Sequence, residues 1–256
     1  MRMIVLAAGQ GTRLRPLTDD RPKCLVPLAG KPLLEWQIET ARAVGISDIT
    51  VIGGYRADQL AKYPVTVVPN PRFETTNMVR SLFCARDFFG DDFVMSYGDI
   101  VYSPSVLRRV LDSAEAIGVA VDLGWRGYWE QRSDDPLKDA ETLRMRGDGS
   151  LAEIGQKPKS MDEIQAQYIG LVVFRSGGVR IISQTYDALE NDSGNNPFGG
   201  PRSLDQLYMT DLLQGLIAQS ERLGAVAINR GWVEVDNPRD LSVAERYAAA
   251  GGLKEV

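Results

Sequence analysis

The residues of this chain that could do chemistry start near its beginning, in a run of small residues behind a strand-like stretch. The run comprises Leu6, Ala7, Ala8, Gly9, Gly11 and Thr12. Small residues let a backbone approach a ligand closely, and glycine can aim its N–H groups at anionic oxygens. Arg13 and Lys23 then add a planar guanidinium fork and a compact ammonium. The segment predicts a phosphate-binding loop, with Arg13 and Lys23 as the catalytic cations.

Three alternatives compete with this interpretation. A dinucleotide-binding loop expects glycine where Leu14 stands, and an acidic residue at the end of the next strand, where Gly53 and Gly54 stand. A Walker A loop requires a Gly-Lys-Ser/Thr sequence, which does not follow. A plain glycine turn with two solvated basic residues is the simplest alternative, and the coincidence of small residues, Arg and Pro-Lys behind one strand argues against it.

Two aspartates suggest a metal site. Asp99 and Asp236 each follow a strand-like run, where α/β sheets place their ligands. Transfer of phosphoryl-type groups needs a divalent cation, and Mg²⁺ prefers carboxylate oxygens. An aspartate at a strand end is more commonly a turn former or a helix cap. Together with the glycine loop, however, the pair predicts a magnesium site, with Glu234 as the reserve ligand.

The composition removes several classes of function. None of the 256 residues is histidine, which excludes Ser-His-Asp hydrolases, His-ligated zinc enzymes and imidazole proton shuttles. Two cysteines make neither a disulfide framework nor a zinc site. The net charge of −5 argues against nucleic-acid binding. Since no signal peptide or membrane span is apparent, we expect a cytoplasmic protein without a membrane partner.

The elements that must position these residues alternate between β-branched runs and amphipathic stretches. This pattern predicts an α/β fold: a Rossmann-like mixed, mostly parallel sheet with helices on both faces and a small β subregion. Strands are predicted over Met3–Ala7, Asp48–Ile52, Val65–Val68, Phe93–Tyr97, Val119–Leu123, Tyr168–Phe174, Ala225–Ile228 and Val233–Val235, and a hairpin over Glu141–Arg146 and Leu151–Ile154. Helices are predicted over Pro32–Val44, Met78–Arg86, Ser105–Ser113, Val179–Leu189, Ser203–Ser220 and Pro238–Ala250, and a loop over Asn191–Pro201. We expect one domain over 1–256, with a nucleotide-binding half (1–123) and an acceptor-binding half (124–256).

The segments AAGQGTRLRPLT and PKCLVPLAGKPLLEW resemble the signature of the sugar-phosphate nucleotidyltransferase superfamily, also called nucleotide-diphospho-sugar transferases. The resemblance implies that the loop and Arg13 hold a nucleoside triphosphate and that Lys23 bridges the reacting phosphates. It also implies that Asp99 and Asp236 bind Mg²⁺. The expected reaction joins a nucleoside monophosphate to a small phosphorylated acceptor and releases pyrophosphate. Such an acceptor phosphate is already ionised near neutral pH, so the missing histidine fits this chemistry.

Other segments are similar to the CTP-using branch of that superfamily, and most of all to its phosphoglutamine-specific group, which serves capsule polysaccharide biosynthesis. These segments are NPRFETTNMVRSLFCARDF, SYGDIVY, DPLKDAETLRM and EIQAQYIGL. The similarity implies CTP as the donor, with Asn77 near the edge of the base and Gly98 in the nucleotide site. On the acceptor side it implies Lys157, in a segment that resembles a Glu-x-Lys-Pro element, and Tyr168.

The acceptor-side residues have simpler interpretations as well. Lys157 could be a turn lysine, and Trp125, a candidate for the acceptor pocket with Tyr128 and Trp129, could be a core or interface aromatic. Phosphocholine, aminoethylphosphonate, and a sugar 1-phosphate with UTP or dTTP remain open as substrates. An inactive regulatory relative is a remote alternative. The sequence leaves the oligomeric state open, and a homodimer is compatible with it.

Overall fold

The structure of the protein is a computed structural model that describes residues 1–191, 198 and 202–254. Most of the loop predicted over Asn191–Pro201 lies outside the described residues. In the described part, no helix combines the length and the apolar character that crossing a membrane requires.

The described strands and helices alternate along the chain, as the sequence predicts. The strands are β1 Arg2–Ala7, β2 Pro27–Leu28, β3 Lys31–Pro32, β4 Ile49–Gly53, β5 Thr66–Pro69, β6 Phe93–Tyr97, β7 Ile100–Tyr102, β8 Ile117–Asp122, β9 Leu143–Met145, β10 Leu151–Ile154, β11 Gln167–Phe174, β12 Gly224–Ile228 and β13 Trp232–Glu234. The α-helices are α1 Leu33–Ala43, α2 Met78–Cys84, α3 Pro104–Leu111, α4 Trp125–Arg132, α5 Ser176–Asn191, α6 Met209–Ala218 and α7 Pro238–Ala249.

The main sheet has seven strands in the order β12-β8-β11-β6-β1-β4-β5. Strand β1 pairs in parallel with β4 and β6, whereas β11 runs antiparallel to β6 and β8. The sheet is therefore mixed and mostly parallel. This confirms the predicted fold class.

Two apolar cores cover the two faces of this sheet. Successive strand residues point to opposite faces. In β1, Met3 and Val5 accordingly pack into one core, and Ile4 into the other. The first core includes residues of α1, α3 and α7, and the second includes residues of α2, α5 and α6. Helices lie on both faces, as predicted.

A short strand pair outside the main sheet positions the site. Strand β7 runs antiparallel to β13, with Ile100 opposite Glu234. The backbone N–H of Val235 also donates to the carbonyl of Asp99, at 3.0 Å. Residues 99 and 236 are thereby brought together although they are far apart in the sequence.

Two helices differ from the sequence-based prediction, and the short strands β2, β3 and β7 were not predicted. The helix predicted from Ser203 begins at Met209, because Leu204–Gln206 forms a separate 3-10 turn. The Asp211 carboxylate instead accepts from the backbone N–H of Tyr208 at the start of α6, at 2.8 Å. Helix α4 was not predicted, since its sequence, WRGYWEQR, has little amphipathic periodicity.

Candidate active site

The predicted phosphate loop lines a cavity at the carboxyl ends of β1 and β6, which we call the first pocket. Its volume is about 370 Å³. It is lined by Leu6, Ala7, Ala8, Gly9, Gly11, Thr12, Arg13, Lys23, Cys24, Phe73, Thr76, Asn77, Met78, Ser81, Tyr97, Gly98, Asp99, Glu234 and Asp236. All eight residues predicted to bind nucleotide are in this set, together with both predicted catalytic cations and both predicted metal ligands.

Two glycines let the walls of the first pocket approach each other. Gly11 has a φ of +64°, and a Cβ on it would lie 2.9 Å from the Cβ of Lys23. A Cβ on Gly98 would lie 2.7 Å from the carbonyl oxygen of Leu6. At Gly9, by contrast, a Cβ would meet nothing within 4 Å, and φ is not positive. Gly9 therefore provides open space at the pocket rather than a left-handed turn.

Four charged side chains meet at the floor of the first pocket. The Lys23 ammonium donates to Asp99 Oδ2 at 2.6 Å and also to Asp236 Oδ1. The second oxygen of Asp236 lies 2.9 Å from the guanidinium of Arg13. The Lys23, Asp99 and Asp236 side chains are largely buried, whereas Arg13 is 65% exposed and free to follow a ligand.

The pKa values of these groups follow from their mutual contacts. Burial acts to lower the pKa of the Lys23 ammonium, but the Asp99 and Asp236 carboxylates raise it above its ordinary range. Burial likewise acts against ionisation of Asp236, but Lys23 lowers the pKa of this carboxyl. Lys23 and Asp236 are therefore both charged at neutral pH.

The carboxylates of the first pocket fit a divalent cation. Oxygens of Asp99, Glu234 and Asp236 all lie within 4.8 Å of one another. The buried Oδ1 of Asp99 has no hydrogen-bond partner in the described part of the chain. A carboxylate oxygen left unpaired in a buried site is costly unless a ligand satisfies it. Hard oxygen donors of this kind suit Mg²⁺.

A second cavity, the second pocket, adjoins the first. Its volume is about 240 Å³. Its lining comprises Met78, Tyr97, Trp129, Asp139, Glu141, Gly155, Gln167, Tyr168, Arg202, Tyr208, Thr210, Asp211, Glu234 and Asp236. Because Met78, Tyr97, Glu234 and Asp236 line both cavities, two ligands could meet there.

The second pocket is negatively charged. Its described lining carries five carboxylates and one guanidinium, that of Arg202. Arg202 lies 2.9 Å from Asp211 and stacks over the ring of Tyr208. Glu141 has no ion pair among the described residues and opens into the cavity. Burial, Asp211 and Asp139 raise the pKa of Glu141 to about 7, although the residue is exposed at the cavity.

The five candidate acceptor residues lie at different places. Tyr168 and Trp129 line the second pocket, whereas Tyr128 lines neither pocket. Lys157 does not line either pocket, since its ammonium donates to the carbonyl oxygens of Leu137 and Lys138. Trp125 is buried in the core and contacts Trp129 edge to face, because it opens α4 on the side that packs inward. Lys157 and Trp125 are therefore outside the lining of both pockets.

Most residues that line the second pocket were not predicted from the sequence. Its charged lining residues come from α6, from the segments that precede β9 and α6, and from β13 and the second residue after it. No local spacing connects these segments. In the first pocket, Phe73, Thr76 and Ser81 were also missed. They flank Asn77 within the segment that resembles the CTP-using branch, so that resemblance was the signal that could have identified them.

Comparison with known proteins gives a consistent result. Residues 3–160 match the family described as the MobA-like NTP transferase domain. The chain is 37% identical over 254 residues to the CTP:phosphoglutamine cytidylyltransferase of Campylobacter jejuni, covering 95% of this chain and 98% of that protein. It is also 26% identical to the bifunctional protein GlmU of Methanococcus maripaludis, covering 96% of this chain but only 54% of that relative.

A solved structure agrees at the level of the fold. The CTP:phosphocholine cytidylyltransferase of Streptococcus pneumoniae superposes with a TM-score of 0.70 at 22% identity, covering 96% of this chain and 98% of that one. The resemblance to nucleotidyltransferases that the sequence indicates is confirmed by these matches.

Proposed function

The chain belongs to the MobA-like NTP transferase family and is a nucleotidyltransferase, and on this premise we propose that it transfers CMP from CTP to a small, phosphoglutamine-like phosphorylated acceptor. The observation that carries the proposal is the pair of adjoining pockets with Glu234 and Asp236 in their common wall. The first pocket suits the triphosphate and base, and the second suits the acceptor. We assign residues 1–123 to nucleotide binding and residues 124–256 to acceptor binding.

The negative charge of the second pocket supports an acceptor that carries a cation. A phosphorylated acceptor is an anion, and a pocket with more carboxylates than guanidinium groups repels it. An ammonium at the far end of the acceptor would reverse this repulsion by pairing with Glu141. Phosphoglutamine carries an ammonium beside its carboxylate, and phosphocholine and aminoethylphosphonate carry a cation as well. Among these three, phosphoglutamine is favoured because the C. jejuni relative is named for that substrate. A sugar 1-phosphate has no cation to offer.

In the proposed reaction, an oxygen of the acceptor phosphate attacks the α-phosphorus of CTP. A new phosphorus–oxygen bond forms as the bond to the departing pyrophosphate breaks, and pyrophosphate leaves with the electron pair. No proton has to be removed from the nucleophile, because the second pKa of a phosphate is about 6. Catalysis therefore consists of alignment and of neutralisation of charge.

The residues of this chain supply both the alignment of the reactants and the neutralisation of charge. The loop from Leu6 to Thr12 holds the triphosphate, and Gly9 leaves room for it. Arg13, mostly exposed, closes on the phosphates, and the Lys23 ammonium offsets the charge that develops on the leaving group. Asp99 and Asp236, with Glu234 beside them, would hold Mg²⁺, which supplies further neutralisation of phosphate charge when bound.

Asn77 and the backbone from Ala7 to Gly9 are proposed to face the base. Asn77 caps α2, its Oδ1 accepting from the N–H of Met78 at 2.9 Å. Its amide nitrogen remains available to the first pocket. The proposal extends to a cytoplasmic enzyme of capsule polysaccharide biosynthesis, following the resemblance to the phosphoglutamine-specific group.

A pyrophosphate-release screen tests the proposed function. Four nucleoside triphosphates are each combined with phosphoglutamine, phosphocholine, aminoethylphosphonate and glucose 1-phosphate in the presence of Mg²⁺. We expect the highest rate with CTP and phosphoglutamine. Comparable rates for UTP or dTTP with glucose 1-phosphate would move the protein to the sugar branch, and no release with any pair would favour an inactive relative.

A further inference from the structure

A buried guanidinium lies beneath the wall that the two pockets share. Arg132 is the last residue of α4, and its side chain is only 4% exposed. It lies 2.7 Å from the carboxylate of Glu234 and donates through Nε to Asp240 Oδ1 at 3.0 Å. The guanidinium also lies over the rings of Tyr128 and Trp129. Arg132 thus links a carboxylate of the proposed metal site to the first turn of α7.

Asp240 extends this link to Asp236. Its Oδ2 accepts from the backbone N–H of Asp236 at 3.1 Å and from the side-chain amide of Asn237 at 2.9 Å. Asp240 itself is 1% exposed, so water does not compete for these contacts. One carboxylate therefore connects the Arg132 guanidinium to the backbone that carries the Asp236 side chain.

This arrangement is a poor way to obtain stability. Burying an ion pair costs desolvation of both groups, and an apolar pair of similar volume is often at least as stable. Here the cost is larger, because the buried NH1 of Arg132 has no partner in the described part of the chain. The effect of this network is instead to fix the positions of side chains. It fixes Glu234 directly and Asp236 through its backbone.

We propose that Arg132 and Asp240 are positioning residues that hold the carboxylates of Glu234 and Asp236 in the arrangement a divalent cation requires. The inference rests on the proposed function only in taking Asp99, Glu234 and Asp236 as metal ligands. Residues behind metal ligands orient them, and replacing such residues typically weakens metal binding about 10- to 100-fold.

The test uses Asp240→Asn, which keeps the size of the side chain and removes its charge. Arg132 Nε and the N–H of Asp236 donate to different oxygens of Asp240, and an amide keeps only one of these two acceptors. Binding of Mn²⁺ to the protein is measured by electron paramagnetic resonance, and the Mg²⁺ dependence of pyrophosphate release is measured beside it. We expect the Mn²⁺ dissociation constant and the KM for Mg²⁺ to rise about 10- to 100-fold. We expect kcat at saturating metal to change much less.

Asp122→Asn is the matched control. Asp122 is also fully buried and pairs with Arg230 at 2.9 Å, but it contacts neither Glu234 nor Asp236. Its loss should lower the melting temperature by a similar amount and leave the Mn²⁺ constant within about twofold of wild type. Arg132→Lys provides a second variant that retains a buried charge. Since one ammonium cannot reproduce the fork between two carboxylates, Mn²⁺ binding should again weaken.

The outcomes separate the inference from the proposed function. The positioning role is overturned if Asp240→Asn and Arg132→Lys both bind Mn²⁺ as tightly as wild type. It is also overturned if Asp122→Asn weakens Mn²⁺ binding as much as these two variants do. Asp99→Asn tests the metal site itself. If Asp99→Asn abolishes Mn²⁺ binding while Asp240→Asn does not affect it, the metal site stands and only the positioning role fails. If Asp99→Asn also binds Mn²⁺ normally, both are overturned.

Discussion

Replacing Glu141 by Gln tests whether the second pocket recognises a positive charge on the acceptor. The substitution keeps the shape of the side chain and removes its charge. A hydrogen bond between charged groups is worth about 1.5–3 kcal/mol. Because Glu141 opens into a cavity that water reaches, the lower end of this range applies. Since about 1.4 kcal/mol corresponds to a factor of ten, kcat/KM for phosphoglutamine should fall about tenfold.

The pH dependence gives an independent measure of the same interaction. The pKa of Glu141 is raised to about 7 by burial and by the neighbouring Asp211 and Asp139, so the carboxylate is charged above this pH and neutral below it. Its ionised fraction falls about tenfold from roughly pH 8 to roughly pH 6. Because neutral Glu141 should behave like Gln, the ratio of the wild-type kcat/KM to that of Glu141→Gln should fall about fivefold, from roughly nine at pH 8 to roughly two at pH 6. Because the acceptor phosphate titrates identically with both enzymes, its effect cancels in the ratio of their kcat/KM values.

The same pKa shift predicts an effect on stability. The folded protein binds the proton of Glu141 up to about pH 7, whereas an unfolded chain releases it near the ordinary value of 4.5. The folded state therefore binds more protons between these values, and stability falls as the pH rises through this window. Glu141→Gln removes that loss. Its melting temperature at pH 8 should exceed that of wild type.

The assay compares pyrophosphate release from CTP with phosphoglutamine and with glucose 1-phosphate, which has no cation. The control variant is Glu153→Gln, whose carboxylate lies 4.0 Å from Arg144 and lines neither pocket. The loss should appear only for Glu141→Gln and only with the ammonium-bearing acceptor. An unchanged kcat/KM for phosphoglutamine, or an equal loss with both acceptors, would refute the charge argument.

The remaining predictions concern the first pocket. Asp99→Asn should lower turnover by several orders of magnitude while circular dichroism shows an intact fold, because it removes a charge at the metal site; near-normal turnover would contradict the assignment. Lys23→Ala should lower mainly kcat, and Lys23→Arg should not restore it, since a broad guanidinium fork cannot replace the compact ammonium that contacts both Asp99 and Asp236. A change confined to the KM for CTP would show that the role of Lys23 is different. CTP should exceed UTP in kcat/KM by about 10- to 100-fold, the cost of one unpaired buried polar group. Asn77→Asp, which keeps the cap of α2, should narrow this ratio, and an unchanged ratio would exclude Asn77 from the base edge.

Much of the first half of the protein could be predicted because its information is local. Strands β1, β4 and β6 are nearly continuous runs of buried apolar residues, as strands covered on both faces must be. The loop that follows β1 contains small residues, Arg13 and Lys23 within one short segment of the sequence. All of them line the first pocket. The predicted family is confirmed for the same reason, since its signature lies in these contiguous segments.

Elements whose local sequence patterns are weak were not predicted, or were predicted with a different start. The aromatic-rich α4 has no clear apolar stripe, so its helix was not predicted and Trp125 was assigned to the acceptor. Helix α6 was predicted from Ser203 but begins at Met209. The contact that caps it, in which the backbone N–H of Tyr208 donates to the Asp211 carboxylate, lies after the residue that was taken for the cap.

By itself, the sequence determined the fold class, the family and the identity of the chemical groups in the first pocket. Tertiary structure alone decided which of those groups meet. Asp99 and Asp236 are joined through the pairing of β7 with β13. Strand β7, of three residues, was not predicted, and the prediction of a strand over Val233–Val235 did not identify its partner strand. Glu141 meets Asp139 and Asp211 only in the folded protein, where all three line the second pocket, and Arg132 contacts Asp240 although more than a hundred residues separate them in the sequence. Ion pairs depend on distance in space, and residue types along the chain do not specify that distance until the sheet and its helices have packed.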